Sequence, residues 1–345
     1  MNAKNNVRVC FTGPFTVDVA SEVLRQPVEP QQLLIRSIFT LISPGTELAL
    51  YTQTHVGFKD PHNRWAKYPF YPGYAAVGQV ENVGSELQGF APGDIVFFWG
   101  QHQQYTLLSP QEAPVLPVPD GVPWECVPFA RMAQIAYTAV LLATSLSLSP
   151  GAQVAVLGLG LVGNLAAQLF QIHEANVTAF DLIEQRCELA QQCGIAHTSN
   201  AAQQDPQAVI KEITGGQGAH IVVEATGSPA LVSSALAMTR TKGEVILLGS
   251  PRGSAEIDVY SLIHRSGVCL KGAHEALFPM LPQKSGQPNR ASISEQMLQH
   301  LQKDQLSVKP LISQIVFPHR IQAAYEALLH QKEKVMGILV DWSKL

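Results

Sequence analysis

Val154, Ala155, Val156 and Leu157 form a short apolar run that enters Gly158-Leu159-Gly160-Leu161-Val162-Gly163, a Gly-x-Gly-x-x-Gly turn. Asp181 follows eighteen residues after Gly163, at the end of a second apolar run, Val177-Thr178-Ala179-Phe180. This pattern can hold the two phosphates and the adenine-side ribose of a dinucleotide. Gly158 permits a tight turn out of the strand, and Gly160 lets the backbone approach a pyrophosphate. Gly163 lets the next helix pack close, so that its N-terminal amides and dipole face phosphate charge. Val162, Leu165, Ala166, Leu169 and Phe170 recur at helical spacing, so the helix is expected there.

Asp181 also bears on which dinucleotide binds. A carboxylate at that strand end accepts hydrogen bonds from the ribose 2′-hydroxyl of NAD and repels the 2′-phosphate of NADP. Leu182 and Ile183 follow where an NADP site more often carries a basic residue, although Arg186 lies on the next helix. NAD is therefore the expected cofactor. A helix N-cap is the structural alternative for Asp181, and it is compatible with ribose binding.

The elements around this turn alternate. Strands are expected at 153–157, 177–180, 220–225, 244–248 and 268–272, with helices at 184–193, 206–214, 229–239 and 259–266 between them. That alternation predicts a doubly wound parallel sheet, an α/β Rossmann domain. The first 135 or so residues instead read as short strands punctuated by Gly and Pro, including Val7 to Phe11, Gln32 to Arg36, Val77 to Val80 and Ile95 to Phe98. A helix is expected over 124–144. Beyond 276–293, an irregular stretch with three prolines, come a helix at 294–303, a strand at 312–317, a helix at 321–331 and a strand at 336–341. This remnant is too small to stand alone and is expected to pack back on the N-terminal domain. The division expected is 1–137, completed by 276–345, and 138–275.

At 345 residues and 46% hydrophobic content, the chain can fill two cores. A formal charge of −4 gives no support for nucleic-acid or anionic-membrane binding. The N-terminal stretch is polar, without the apolar core of a signal peptide, and no apolar run reaches the ~18 residues of a membrane span. A cytoplasmic location is expected. The five cysteines are scattered, with no Cys-x-x-Cys pair or zinc-ligand cluster, and read as free thiols.

The layout resembles the medium-chain dehydrogenase/reductase superfamily, which includes zinc alcohol and polyol dehydrogenases. The marks, spread over nearly the whole chain, are Ser43-Pro44-Gly45-Thr46-Glu47, then Tyr71-Pro72-Gly73-Tyr74-Ala75-Ala76-Val77-Gly78, and Pro92-Gly93-Asp94-Ile95-Val96. The dinucleotide turn, Glu224-Ala225-Thr226-Gly227 and Pro310-Leu311-Ile312-Ser313 complete the order. The first run and Gly337-Ile338-Leu339-Val340-Asp341-Trp342 look most like the branch containing bacteriochlorophyllide a dehydrogenase. The resemblance implies a β-rich GroES-like catalytic domain, a Rossmann domain, and a homodimer paired through the last sheet strand near 269–273.

The departures from that pattern carry as much information. Zinc members have a metal-binding cysteine at the position of Pro44, and a histidine and glutamate at those of Tyr74 and Ala75. The third ligand falls near Ala130, and the four-cysteine structural lobe is missing after Asp94. Proline and alanine offer no donor lone pair, and a neutral tyrosine is a rare zinc ligand. No metal is expected.

Without a metal, side chains must stabilise a developing alkoxide and move its proton. Thr46 matches the hydroxyl residue that bonds substrate oxygen in zinc relatives; a hydroxyl capping the next helix is the other reading. The Tyr74 phenol can donate to an oxyanion, or can pack in the cleft floor. His102 carries an imidazole suited to general base work, or is a loop histidine without chemistry. Arg131 and His274 are candidate substrate contacts, with a salt bridge to Glu47 as the alternative for Arg131. The basic stretch His55, Lys59, His62, Arg64 and Lys67, offset only by Asp60, reads either as a rim steering an anionic substrate or as a solvated loop. The cofactor is expected to meet Gly158, Gly160, Leu161, Val162, Gly163, Asp181, Arg186, Thr226, Leu248 and Gly249.

The expected activity is a zinc-independent, NAD-dependent hydride transfer between nicotinamide and a secondary alcohol or ketone, such as a polyol, cyclitol or sugar derivative. An NADPH-dependent enone or quinone reductase and a catalytically silent dinucleotide-binding protein are the alternatives. The partners expected are a small-molecule substrate and a second copy of the chain.

Overall fold

The computed structural model describes residues 4–24, 28–144 and 147–345, which form two compact units. One unit holds residues 1–131, 278–304 and 312–345; the other holds 132–277 and 305–311. Met1, Asn2 and Ala3 of the polar N-terminal stretch lie outside the described residues.

The first unit opens with an antiparallel hairpin, β1 (Asn5–Gly13) and β2 (Thr16–Val23). It continues through β3 (Leu33–Leu41), α1 (Pro44–Tyr51), β4 (Ala76–Val83), β5 (Ile95–Phe98), β6 (Tyr105–Leu108) and β7 (Val115–Pro117). The helix α2 (Phe129–Leu142) follows, with residues from Met132 on belonging to the second unit; a short 3₁₀ turn at Trp124–Cys126 stands where the expected 124–144 helix begins.

The second unit runs β8 (Gln153–Leu157), α3 (Leu161–Ile172), β9 (Asn176–Asp181), α4 (Glu184–Gln192), β10 (His197–Asn200) and α5 (Pro206–Ile213). It then adds β11 (Ala219–Glu224), α6 (Val232–Met238), β12 (Thr239–Leu247) and β13 (Cys269–Gly272). The strands lie in the order β10-β9-β8-β11-β12-β13, all parallel, which is the Rossmann order 3-2-1-4-5-6. Val154, Ala155, Val156, Val222, Val223, Val245 and Ile246 are buried, as a sheet covered on both faces requires.

The chain then returns to the first unit with α7 (Arg290–Gln302), β14 (Ile312–Val316), α8 (Ile321–His330) and β15 (Gly337–Asp341). There β15 pairs antiparallel with β3, giving a seven-stranded sheet ordered β14-β15-β3-β4-β5-β7, with β6 also on β3. Phe11, Leu50, Tyr51, Tyr325 and Trp342 sit at the centre of that unit's core. The Tyr325 ring is edge-on to Phe11 at 5.0 Å and stacked on Tyr51 at 5.3 Å.

Three local expectations shift. β10 was not anticipated: His-Thr-Ser-Asn carries no apolar alternation, and it forms because an edge position beside β9 supplies its backbone partners. The helix expected at 259–266 narrows to a π-helical turn at Tyr260–His264. α7 starts earlier than expected because Asn289 caps it, its side chain accepting from Ser292 N at 2.9 Å. Among the described residues no helix is long and apolar enough to cross a membrane.

Candidate functional site

The glycine turn of the second unit has the shape of a phosphate cradle. Gly158 adopts φ +94°, and a Cβ there would stand 2.6 Å from Thr226 Cγ2. A Cβ on Gly163 would stand 1.9 Å from the Gly158 carbonyl oxygen, so only glycine lets α3 pack this close. Gly160 is different: a Cβ there would meet nothing within 4 Å, leaving open room at the N-terminus of α3, beside Leu161 and Val162. A dinucleotide pyrophosphate fits such a cradle.

Asp181, at the end of β9, is nearly buried and ties the turn together. Its Oδ2 accepts from Leu159 N at 2.8 Å, and its Oδ1 accepts from Ile183 N at 3.0 Å. Arg186 Nη1 lies 3.5 Å from Oδ2. Asp181 is not the N-cap of α4, which is Ile183. A carboxylate offers about four lone-pair sites, so Oδ1 retains capacity for a ribose hydroxyl.

Thr226, Leu248 and Gly249 are brought together after the carboxyl ends of β11 and β12 by Glu224, a buried residue the sequence reading left without a role. Its carboxylate accepts from Thr226 N at 2.8 Å, from the Thr226 hydroxyl, and from Gly227 N at 3.1 Å. Its carbonyl accepts from both Leu248 N and Gly249 N at 2.8 Å. The Thr226 hydroxyl also accepts from Ser228 N at 3.0 Å, so it shapes the loop. His274 is exposed after β13, where its Nδ1 accepts from Ala276 N at 3.1 Å.

The first unit contains its own pocket, of about 300 Å³, lined by Thr46, Glu47, Leu50, Trp65, Lys67, Phe70, Tyr71, Tyr74 and Gln101 among others. Tyr74 donates its phenol proton to the Ser43 hydroxyl and is also within hydrogen-bonding reach of the Thr46 side chain. The Arg131 guanidinium lies 5.0 Å from the Tyr74 ring centre and 3.8 Å over Trp99. Burial pushes the Tyr74 phenol above its ordinary value of 10.0, and Arg131 and the Ser43 hydrogen bond only partly offset this.

Ser43 was not singled out from sequence. It is the N-cap of α1, a position whose hydroxyl normally turns inward to a helix amide. Here it makes no such bond, because Glu47 takes over its backbone: Ser43 N donates to Glu47 Oε1 at 2.9 Å. The Ser43 hydroxyl is thereby left to face Tyr74. Thr46 lies inside the first turn of α1 and lines the pocket, so the helix-capping reading of its hydroxyl is corrected: the helix begins at Pro44.

Beneath Glu47 runs a buried polar chain. The indole Nε1 of Trp342 donates to Thr40 Oγ1 at 2.9 Å, and Thr40 Oγ1 is 2.7 Å from His102 Nδ1. The Glu47 carboxylate on the far side of the ring only accepts, so in a neutral ring Nδ1 takes the Thr40 hydroxyl proton while the Thr40 oxygen accepts from the indole. The ring proton of neutral His102 is therefore on Nε2, which donates to Glu47 Oε2 at 3.0 Å. The Tyr325 phenol donates to the same oxygen at 2.5 Å. His102 is buried with both ring nitrogens engaged, and it reaches the pocket only through Glu47.

Burial, with Glu47 as its neighbour, raises the Tyr325 phenol well above 10.0, and burial also raises Tyr51, which donates its one proton to Glu326. In the unfolded chain both ionise near 10. Their contribution to stability is therefore complete below pH ~10 and falls as pH rises through the folded values, by up to ~1.4 kcal/mol per pH unit for each phenol. Urea midpoints measured from pH 9 to 11.5 should show this decline, and Tyr325→Phe should flatten it. A pH-independent midpoint over that range counts against it.

Of the basic stretch, only Lys67 lines the pocket. His55 instead accepts from Gly57 N at 3.1 Å, its ring edge-on to Trp65. Pro44 begins α1 and Ala130 is buried in α2. Among the described residues no three His, Cys, Asp or Glu side chains are grouped as metal ligands. Pro44, Tyr74 and Ala130 do not fit a zinc ion, since only the phenol has a donor atom.

A family model described as zinc-binding dehydrogenase matches residues 162–283. That span holds much of the dinucleotide unit and none of Pro44, Tyr74 or Ala130. Sorbitol dehydrogenase of Bacillus subtilis is 26% identical over 299 residues, 74% of this chain and 82% of its own length. The crystal structure of 2R,3R-butanediol dehydrogenase from Bacillus subtilis superposes with a TM-score of 0.81 at 19% identity, covering 97% of this chain and 99% of that one. An oxidoreductase/dehydrogenase of unknown specificity from Escherichia coli, described as involved in membrane biogenesis, gives 0.82 at 20% identity, over 98% and 99%. The fold is that of the medium-chain dehydrogenases: a Rossmann domain together with a GroES-like domain. In sequence, the similarity is to the zinc-type alcohol and polyol dehydrogenases.

Proposed function

We propose that this protein is an alcohol- or polyol-dehydrogenase-type oxidoreductase that uses NAD and works without zinc, on a secondary alcohol or ketone of polyol, cyclitol or sugar type. The observation that carries the reading is the Tyr74 phenol at the pocket wall, hydrogen-bonded to Ser43, beside Thr46 and under the Arg131 cation. A nicotinamide dinucleotide, when bound by the glycine turn and Asp181, supplies or accepts the hydride. In ketone reduction Tyr74 donates its proton to the carbonyl oxygen as that oxygen gains charge, and Ser43 and Thr46 offer further hydroxyls to it. Arg131 stabilises the phenolate left behind, which regains a proton from solvent. In oxidation the phenolate takes the alcohol proton, so the raised phenol makes oxidation increase with pH while reduction persists at neutral pH.

Asp181 supports NAD over NADP. Arg186, at 3.5 Å from it, is the observation that favours the alternative of an NADPH-dependent enone reductase. The exposed edge strand β13 supports a homodimer through residues 269–273. The Ser43 to Glu47 run and the C-terminal Gly337 to Trp342 run support a place near the branch containing bacteriochlorophyllide a dehydrogenase.

Chelator-treated, metal-free protein tests the reading. It should bind NADH at least about tenfold more tightly than NADPH, a difference of ~1.4 kcal/mol, and should oxidise members of a polyol and sugar panel. Activity restored only by stoichiometric zinc would overturn the mechanism. Tight NADPH binding with enone turnover would favour the alternative, and cofactor binding with no turnover would mark a silent binder.

A further inference from the structure

We propose that the pocket of the first unit selects a polyhydroxylated ring carrying one anionic group, a carboxylate or a phosphate, with Lys67 as the residue that recognises the anion; this rests on the oxidoreductase reading of the same pocket. Its walls are aromatic. Trp65, Phe70, Tyr71 and Tyr74 all line it, and Trp65 stands edge-on to Phe70 at 5.3 Å while remaining 49% exposed. A half-exposed indole at a cavity mouth is costly to leave in water, and flat aromatic faces pack well against the C–H faces of a sugar ring. The Tyr71 ring is held from behind by the Arg8 guanidinium, 3.6 Å from its centre, and Arg8 also donates to Gln101 Oε1 at 3.2 Å. That wall is therefore fixed before a ligand arrives.

The charges in the pocket are unequal in availability. Glu47 is committed to donors from Ser43, His102 and Tyr325. Lys67 is exposed, and among the described residues its ammonium makes no hydrogen bond or ion pair. Among the described residues it is the one cationic side chain lining a cavity of about 300 Å³, a volume suited to a monosaccharide with one substituent. A neutral polyol would leave that ammonium unmatched, whereas an anion gains a charge-assisted hydrogen bond.

The test compares glucuronate, glucose 6-phosphate and neutral glucose as substrates, and separately as ligands, by quenching of tryptophan fluorescence. Wild-type kcat/KM, or affinity, for at least one anionic sugar should exceed that for glucose by about tenfold or more. Lys67→Gln should collapse the ratio through KM, Lys67→Glu should invert it, and Lys67→Arg should retain it. The first two sugars separate a carboxylate from a phosphate preference. Equal use of all three sugars, with a ratio indifferent to Lys67→Gln, overturns the inference while leaving the oxidoreductase intact. Turnover of none, with anionic sugars still bound in a Lys67-dependent way, overturns the activity and supports the pocket. Neither turnover nor binding overturns the inference.

Discussion

Replacing Tyr74 by phenylalanine should lower kcat for ketone reduction by about 10²–10⁴-fold, the usual contribution of a positioned proton donor. NADH affinity should stay within about twofold, because the glycine turn and Asp181 belong to the other unit. The substitution keeps the ring over which Arg131 lies and removes only the hydroxyl that donates to Ser43. Ser43→Ala removes the acceptor and leaves the phenol, so its loss should be smaller. Arg131→Met acts differently. It takes away the cation that opposes the effect of burial, so the Tyr74 phenol rises further and the alkaline limb of the oxidation profile moves to higher pH. A Tyr74→Phe enzyme within threefold of wild type would remove Tyr74 from the mechanism, and the Thr46 hydroxyl would be the next place to look.

The glycine turn and the pocket were unequally legible in the sequence. The glycine turn, Asp181 and the strand–helix alternation are local: each residue's partner lies a turn or one βαβ unit away, so spacing alone reveals them. Gly163 is required by its approach to the Gly158 carbonyl, and the pattern carries that requirement, whereas the contact of Gly158 with Thr226 comes from beyond β11 and does not show in the spacing. The polar chain that supports the pocket of the first unit is assembled over long range. Thr40, Glu47, His102, Tyr325 and Trp342 join only because β15 returns to pair with β3 and α8 packs near α1. No periodicity links those positions. His102 illustrates the consequence. An imidazole in a polar loop reads either as a general base or as a loop histidine without chemistry, yet the fold buries it and uses both nitrogens to orient Glu47. Ser43 shows the reverse: a residue that looks like an ordinary cap has its hydroxyl turned out because a carboxylate one turn later serves its amide. β10 escaped notice for a third reason, since an edge strand of polar residues has no hydrophobic signature.

The long-range network makes Glu47→Leu the most destabilising single change expected in the first unit. Leucine removes the acceptor for Ser43 N–H, His102 Nε2–H and the Tyr325 hydroxyl in one step. Glu47 is 1% exposed, so water cannot replace it without opening the core. A buried donor left unmatched costs roughly 1–3 kcal/mol, so the three together cost roughly 3–9 kcal/mol. Domain stabilities are only ~5–15 kcal/mol, and the variant should be largely unfolded at 37 °C or recovered as an aggregate. Glu47→Gln keeps one acceptor oxygen and should be milder. The distinguishing measurement is a double-mutant cycle by urea denaturation on Glu47→Gln, Tyr325→Phe and the pair. Removing the Tyr325 hydroxyl also removes one of the unmatched donors, so the pair should be less destabilised than the two singles added, by ~0.5–3 kcal/mol. Strict additivity would mean that Tyr325 and Glu47 are not coupled. The short contact between phenol and carboxylate would then be incidental to the core, and Ser43 would need some other support to keep its hydroxyl facing Tyr74.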